Sequence, residues 1–522
     1  MSSEHSSGPT ENEEPRRTPG LKRIMFFTSS EYGQANVILA VAYELLLRRK
    51  YDIHIVSFEP LKNRIRELNK MTSSEDPDPA RFHAVPIISP MEAVRRQGNI
   101  GPYPAGVRGA LKTYRTTLPA IATAWDGSEY MAGYEWCLER IHSINPNIIV
   151  IDPLFSIGLE ACKTAIRNYV VLSPNTFQDI LRKQQPFFRQ LCRYPAVSSG
   201  FPYPVPWSLV PANIYLKISI VFVLLTSPKM KELMRFRKSQ NLPALPPVFN
   251  TWQMENHYLV PSIPETDFPC QIKDNVYPCG PILLPVPSVA EADAELEAWL
   301  GRNPTVLINL GSHIRMDNEM IKEFAVALKV LLDRHQDIQI LWKLKTSGGL
   351  SLPSTKNEDK RQNDSAIKPK KESYTDTFDP TSLDAVSTEI QASRVNITEW
   401  MSVDPLAVLQ SGHIICSVHH GGSNSFHEAL SVGIPQIILP CWLDTFEFAN
   451  RVEYLGIGVY GSRTAAPRVD AWEFSRALMR VLGEGEEGED MRRRAKELAT
   501  LCGGYGGRKR AAERVVEILE GL

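Results

Sequence analysis

The order of elements in this sequence predicts an α/β protein made of two parallel-sheet domains. Two observations carry that prediction. Short apolar runs alternate with helix-period segments in the first part of the chain, and the alternation begins again after Pro304. Several of those runs end in glycine turns that lead straight into helices, the βαβ pattern of a parallel sheet. A chain of 522 residues is long enough for two domains with full cores.

In the first half, Leu21–Phe27 reads as a buried strand and Ala35–Arg49 as a helix with an apolar stripe. Ile53–Phe58 is a second strand, and Asn147–Ile151 is a third that ends at Asp152. Residues 177–270 are richer in proline and aromatics and less regular. The stretch from Val276 to Pro287, with its prolines, reads as a link. In the second half, strands are predicted at Thr305–Leu310, Ile338–Leu344, Val395–Thr398, Ile414–Val418 and Gln436–Leu439. The final helix, about Arg508–Leu519, carries an apolar stripe. Residues 1–20 are polar and charged and are expected to be a disordered tail. Residues 348–393, rich in lysine, serine, threonine and aspartate, are expected to be a disordered insertion.

Composition excludes several classes of function. The formal net charge of -1 gives no footprint for nucleic acid. The eight cysteines are scattered without a C-x-x-C pair, and no secretory signal opens the chain. Free thiols, a reducing compartment and a soluble, cytoplasmic protein without stable membrane insertion are therefore expected. The most apolar segment, Ile214–Thr226, contains Lys217 and is short for a membrane span; a helix resting on a membrane surface is one reading, and a buried helix or a pocket wall is the one expected.

The chemistry concentrates in His419-His420-Gly421-Gly422-Ser423-Asn424-Ser425-Phe426-His427-Glu428. This run passes from a strand through a glycine turn into a helix. A helix start has free N–H groups and a partial positive charge, which together hold phosphate. Glu428 follows about one turn later, where a carboxylate accepts ribose hydroxyls. His427-Glu428-Ala429-Leu430-Ser431 misses the second histidine of the zinc motif, so no metal is expected.

This segment resembles the donor signature of the family 1 UDP-glycosyltransferases, with wording closest to soluble fungal members. The likeness continues through Pro435, Pro440, Asp444, Asn450 and Gly456-Ile457-Gly458, and upstream through Gly311-Ser312 and Trp400. It is specific from about Thr305 to Gly461 and weaker from Leu21. The resemblance implies the GT-B fold, two Rossmann-like domains facing a central cleft. It implies an acceptor domain over residues 21–284, a donor domain over 285–505, and a last helix over 506–522 that returns to the first domain. It also implies a nucleotide-sugar co-substrate and no cofactor. Trp400 would stack on the base. Ser312, His420 and Ser425 would hold the diphosphate, with Gly422 and Asn424 also among the donor-binding residues. Glu428 would hold the ribose and Asp444 the sugar, and Asn450 is either a sugar contact or a plain helix residue.

The chain departs from the family pattern in three places. Met401-Ser402-Val403 replaces the Pro-Gln pair after the tryptophan, which leaves the base open between uracil and another. Thr445 stands where a glutamine follows the acid, which leaves the sugar open. Gln34 stands where the family places its base histidine, and an amide cannot take a proton. Three readings follow. Asp152 acts as the base while Gln34 positions the acceptor; the acceptor ionises with little help; or the chain binds nucleotide-sugars and transfers poorly. Glu31 is a weaker candidate base. The expected reaction is inverting transfer of a hexose to a small lipophilic acceptor such as a terpenoid or polyketide. The aromatics at Phe187, Phe188 and Phe201–Trp207 and the apolar run after Ile214 are expected to line its pocket.

Overall fold

The computed structural model describes residues 20–72, 76, 78–98, 101–249, 251–346 and 377–521. The expected tail, up to residue 19, lies outside them, as do residues 348–376 of the expected insertion.

Two parallel sheets organise the chain. The first contains β1 (Lys22–Phe27), β2 (Tyr51–Ser57), β3 (Ala80–Ala84), β4 (Ile148–Ile151), β5 (Tyr169–Leu172), β6 (His257–Val260) and β7 (Val276–Pro278). Its order is β3-β2-β1-β4-β5-β6-β7, with every pairing parallel. The second contains β8 (Thr305–Asn309), β9 (Gln339–Lys343), β10 (Val395–Thr398), β11 (Ile414–His419), β12 (Gln436–Ile438) and β13 (Gly458–Tyr460). Its order is β10-β9-β8-β11-β12-β13, again parallel throughout. Both are doubly wound Rossmann-like sheets, and helices bury both faces. The central strands are therefore buried along their length and mostly apolar rather than alternating.

In each sheet the strand order reverses at one point, between β1 and β4 and between β8 and β11. Such switch points open a crevice outside the carboxyl ends of the strands, where ligands bind in this class of fold. The loops at the two switch points hold Gly33-Gln34 and Asp152 in one half, and Gly311-Ser312 and His420-Gly421-Gly422 in the other.

The last helix, Arg508–Glu520, packs on the helix Tyr32–Leu47. Ala511, Ala512 and Val515 join the core of the first sheet, and Arg508 pairs with Glu44 at 2.7 Å.

Two expectations are corrected. Residues 377–393 are not an unstructured loop: Pro380–Val386 forms a 3-10 turn and Ser387–Gln391 a helix. Leu383 and Val386 bury against the helix Asn318–Arg334, and that contact outweighs the local polar composition. Nor is the segment after Trp207 a buried helix. The turn Trp207–Leu209 and the helix Val210–Thr226 form twenty continuous residues, with 17% of the apolar window buried. By length and composition alone this helix could cross a bilayer.

Candidate active site

The donor crevice is built by one turn and one helix. Gly421 takes φ +87°, and the helix Ser423–Val432 starts at Gly422 with no side chain capping it. The first amides of that helix are thus free to bind an anion. His420 sits between two glycines. A Cβ on Gly422 would lie 2.6 Å from the ring's Nε2, and one on Gly311 2.8 Å from Cε1. Both positions must stay bare for the ring to occupy this place. Burial, then His419, His313 and Lys343, hold the His420 pKa down to about 3. The ring is therefore neutral at physiological pH, and its Nδ1 is buried without a partner.

The other histidines of the signature are structural. His419 accepts the Gly421 N–H at Nδ1 (3.1 Å) and donates from Nε2 to Gln436 (2.8 Å). His427 is bonded to the Ser423 carbonyl at 2.8 Å and faces Ser262 of the first half. Among the described residues no group of His, Cys, Asp and Glu has metal-holding geometry.

Glu428 is 9% exposed and faces a narrow crevice with Asn36, Arg64, Asp404 and Asn424. Burial, then Asp404, raise its pKa to about 8, and Arg64 opposes them. Trp400 is 57% exposed at the end of β10, with the Lys343 ammonium 4.2 Å from its ring centroid. Met401 and Val403, in the stretch that replaces the family's usual pair, are buried in the donor-half core. The Lys345 ammonium donates to the Ser312 carbonyl at 3.0 Å. Lys343 and Lys345 therefore bring positive charge to the same rim. No motif in the sequence marked either lysine.

Asp444 is half-buried, and burial, then Asp179 across the cleft, push its pKa up to about 7. Thr445 bonds the loop before it. Its hydroxyl accepts the Cys441 and Trp442 amides at 3.2 and 3.1 Å and so holds the loop. Asn450 reaches across to the first half. Its amide donates to the carbonyls of Gly200, Phe201 and Phe446 at 3.3, 3.0 and 3.0 Å, which ties the two halves together.

On the acceptor side, Gln34 lies in the first turn of the Tyr32–Leu47 helix, partly exposed. Asp152 follows β4 and is 0% exposed. Its Oδ1 accepts the Leu154 N–H at 2.9 Å, and its Oδ2 is buried without a partner. Burial raises its pKa to about 6, against the Leu154 and Ser29 amides. Glu31, at the N-cap of the same helix as Gln34, pairs at 3.0 Å with His313 of the donor half. Arg95 contacts the other nitrogen of His313 at 2.7 Å. Contacts of this kind join residues hundreds of positions apart and leave no local signal.

The halves are clasped along the cleft. Asn424 donates to the Tyr32 carbonyl and Ser423 to the Pro174 carbonyl. Arg182 pairs with Glu447 at 2.5 Å, and Arg451 with Asp267 at 2.9 Å, the latter pair almost wholly buried.

Two Rossmann-like sheets whose switch points face one cleft make up the GT-B architecture. Residues 388–502 match the family model described as "Erythromycin biosynthesis protein CIII-like, C-terminal domain". Over 95% of its length the chain is 35% identical to glycosyltransferase sdnJ of Sordaria araneosa, spanning 98% of that protein. The chain belongs to the family 1 UDP-glycosyltransferases. Its fold is similar to that of a UDP-glucosyltransferase from Polygonum tinctorium, with TM-score 0.61, 16% identity, and coverage of 97% and 100% of the two chains. It is also similar to the kitacinnamycin glycotransferase, with TM-score 0.57, 16% identity, and coverage of 96% and 100%.

Proposed function

We propose that this glycosyltransferase moves a hexose from a UDP-sugar to a small lipophilic acceptor with inversion. One observation supports the donor reading above the rest: the uncapped Ser423–Val432 helix start, neutral His420 and Glu428 line one side of the cleft. Helix amides and the His420 N–H take up charge as the diphosphate leaves, which is electrostatic stabilisation of the transition state. Ser312, Gly422, Asn424 and Ser425 complete that cradle. Trp400 offers a stacking face to the base, and Asp444 contacts the sugar. The reaction needs no metal for these steps. All eight cysteines are free, which fits a cytoplasmic setting.

Asp152 is the base in this reading. Its pKa of about 6 leaves it ionised at pH 7.5 and still basic enough to take a proton. Its unpartnered Oδ2 needs one water, or a shift of the neighbouring loop, to reach the acceptor. A second reading rests on Glu31, whose carboxylate already lies at the cleft mouth with 25% exposure, oriented by His313. Glu31→Gln and Asp152→Asn separate the two.

The test is transfer from UDP-glucose and other nucleotide-sugars to lipophilic hydroxy-, carboxy- and amino-acceptors, with products read by mass. A glycosylated product is expected. Tight UDP binding with no product from any acceptor would favour a catalytically weak nucleotide-sugar binder instead.

A further inference from the structure

The helix Val210–Thr226 is arranged with its polar groups inward and its apolar groups outward. Asn213 is fully buried; its amide donates to the Leu191 and Tyr194 carbonyls, and its Oδ1 accepts the Ala196 N–H. Lys217, the one charged residue of the helix, turns in to the carbonyls of Gln190 and Tyr194. Leu216 packs with Ala110 and Tyr114 of the helix Val107–Ala122. The outer face carries Tyr215, Ile218, Phe222 and Leu225, spaced three or four residues apart and 52–66% exposed. Over its seventeen residues the helix spans about 25 Å. Trp207 at its start is 79% exposed, and Phe187 on the adjoining helix Phe187–Cys192 is 76% exposed.

A basic rim surrounds this ridge. Arg108, Lys112 and Arg115 recur at helical spacing along Val107–Ala122, all exposed. On the other flank, Lys229, Lys231 and Arg235 are exposed on the helix Pro228–Ser239. The four helices together hold ten lysines and arginines and one acid, Glu232, in a chain of net charge -1.

We propose that this face rests on an anionic phospholipid surface, with the helix lying flat in the interface. An apolar ridge between cationic flanks is the pattern of interfacial helices, and exposed tryptophan suits the headgroup layer. A membrane span does not fit, because Asn213 and Lys217 tie the inner face to the folded half. A second copy fits poorly, because two such rims would repel across a shared interface. The inference stands on this surface alone. If the acceptor is lipophilic, as proposed above, docking would bring the acceptor half to the phase where it partitions.

The test is co-sedimentation of the full chain with vesicles of pure phosphatidylcholine or of an equimolar mixture with phosphatidylserine. Binding to the anionic vesicles is expected to exceed that to neutral ones by about tenfold or more, and to weaken at high salt. Ile218→Asp with Phe222→Asp should abolish it while circular dichroism and thermal melting stay unchanged. Lys229→Glu with Lys231→Glu should reduce it on anionic vesicles only. Absence of binding to either vesicle overturns the proposal, and equal binding to both overturns the anionic assignment. A dimer that the aspartate variant dissociates, with no vesicle binding, overturns it in favour of self-association. The readout is partitioning, so its failure leaves glycosyl transfer untouched.

Discussion

The two halves share one topology and differ in what constrains their sequences. In the donor half the loops at the switch point are fixed by contacts of a few ångströms, with His420 held between Gly311 and Gly422 and the helix start left uncapped. The matched family model lies wholly in this half, over residues 388–502. In the acceptor half the switch-point loops carry Gln34 where a histidine was expected, and a base candidate sealed from solvent. A diphosphate is bound by the same physical device wherever it occurs, so the donor half keeps a recognisable wording. An acceptor imposes no such device, and packing decides.

The largest expected effect breaks the donor half. His420→Ala should lower kcat/KM by about 10²–10³-fold, the usual loss for one donor to a developing anion. Gly422→Ala should do nearly as much, because its Cβ would displace the His420 ring. Both would be read from initial rates of UDP release. On the acceptor side, Asp152→Asn should cost at least about 10²-fold in transfer if Asp152 is the base. Glu31→Gln should then cost less than tenfold, roughly. The reverse order would hand the role to Glu31.

Asp152 also carries a stability signature. Its pKa is about 6 when folded against 3.8 as a free side chain, so the folded protein holds the extra proton between those values. Stability is therefore lost as pH rises through that window. Asp152→Asn should be more stable than wild type at pH 7.5, by up to about 3 kcal/mol, and the gap should close toward pH 4. Thermal melts at several pH values check this. The contacts between the halves give the opposite sign. Arg451→Ala leaves Asp267 buried and unpaired and should destabilise by about 3–5 kcal/mol in urea titration.

A pH effect sharpens the donor assignment. Glu428 titrates at about 8, and the ionised form accepts ribose hydroxyls. UDP affinity should rise roughly tenfold from pH 6.5 to 8.5, and Glu428→Gln should flatten that rise.

Much of this was legible in the sequence. The strands β1, β2, β4 and β8 to β12, the Gly421–Gly422 turn and the helix after it follow from apolar runs and glycine punctuation. The strands β3, β5, β6, β7 and β13 did not stand out. They are three to five residues long, and at that length, without a flanking cue such as the prolines around β12, periodicity does not separate strand from helix. Periodicity also cannot say which face of the Val210–Thr226 helix turns outward. The pairing of Glu31 with His313 and the engagement of Asn450 with Gly200 and Phe201 depend on how the halves meet, which no local pattern encodes.

Whether the crevice at the β8/β11 switch point holds the diphosphate is best decided by calorimetric titration of UDP into the wild-type and His420→Ala chains. Saturable one-to-one binding to wild type is expected, with binding about tenfold or more weaker to the variant. Equal affinities in the two chains would contradict the assignment, because the diphosphate would then lie outside that crevice.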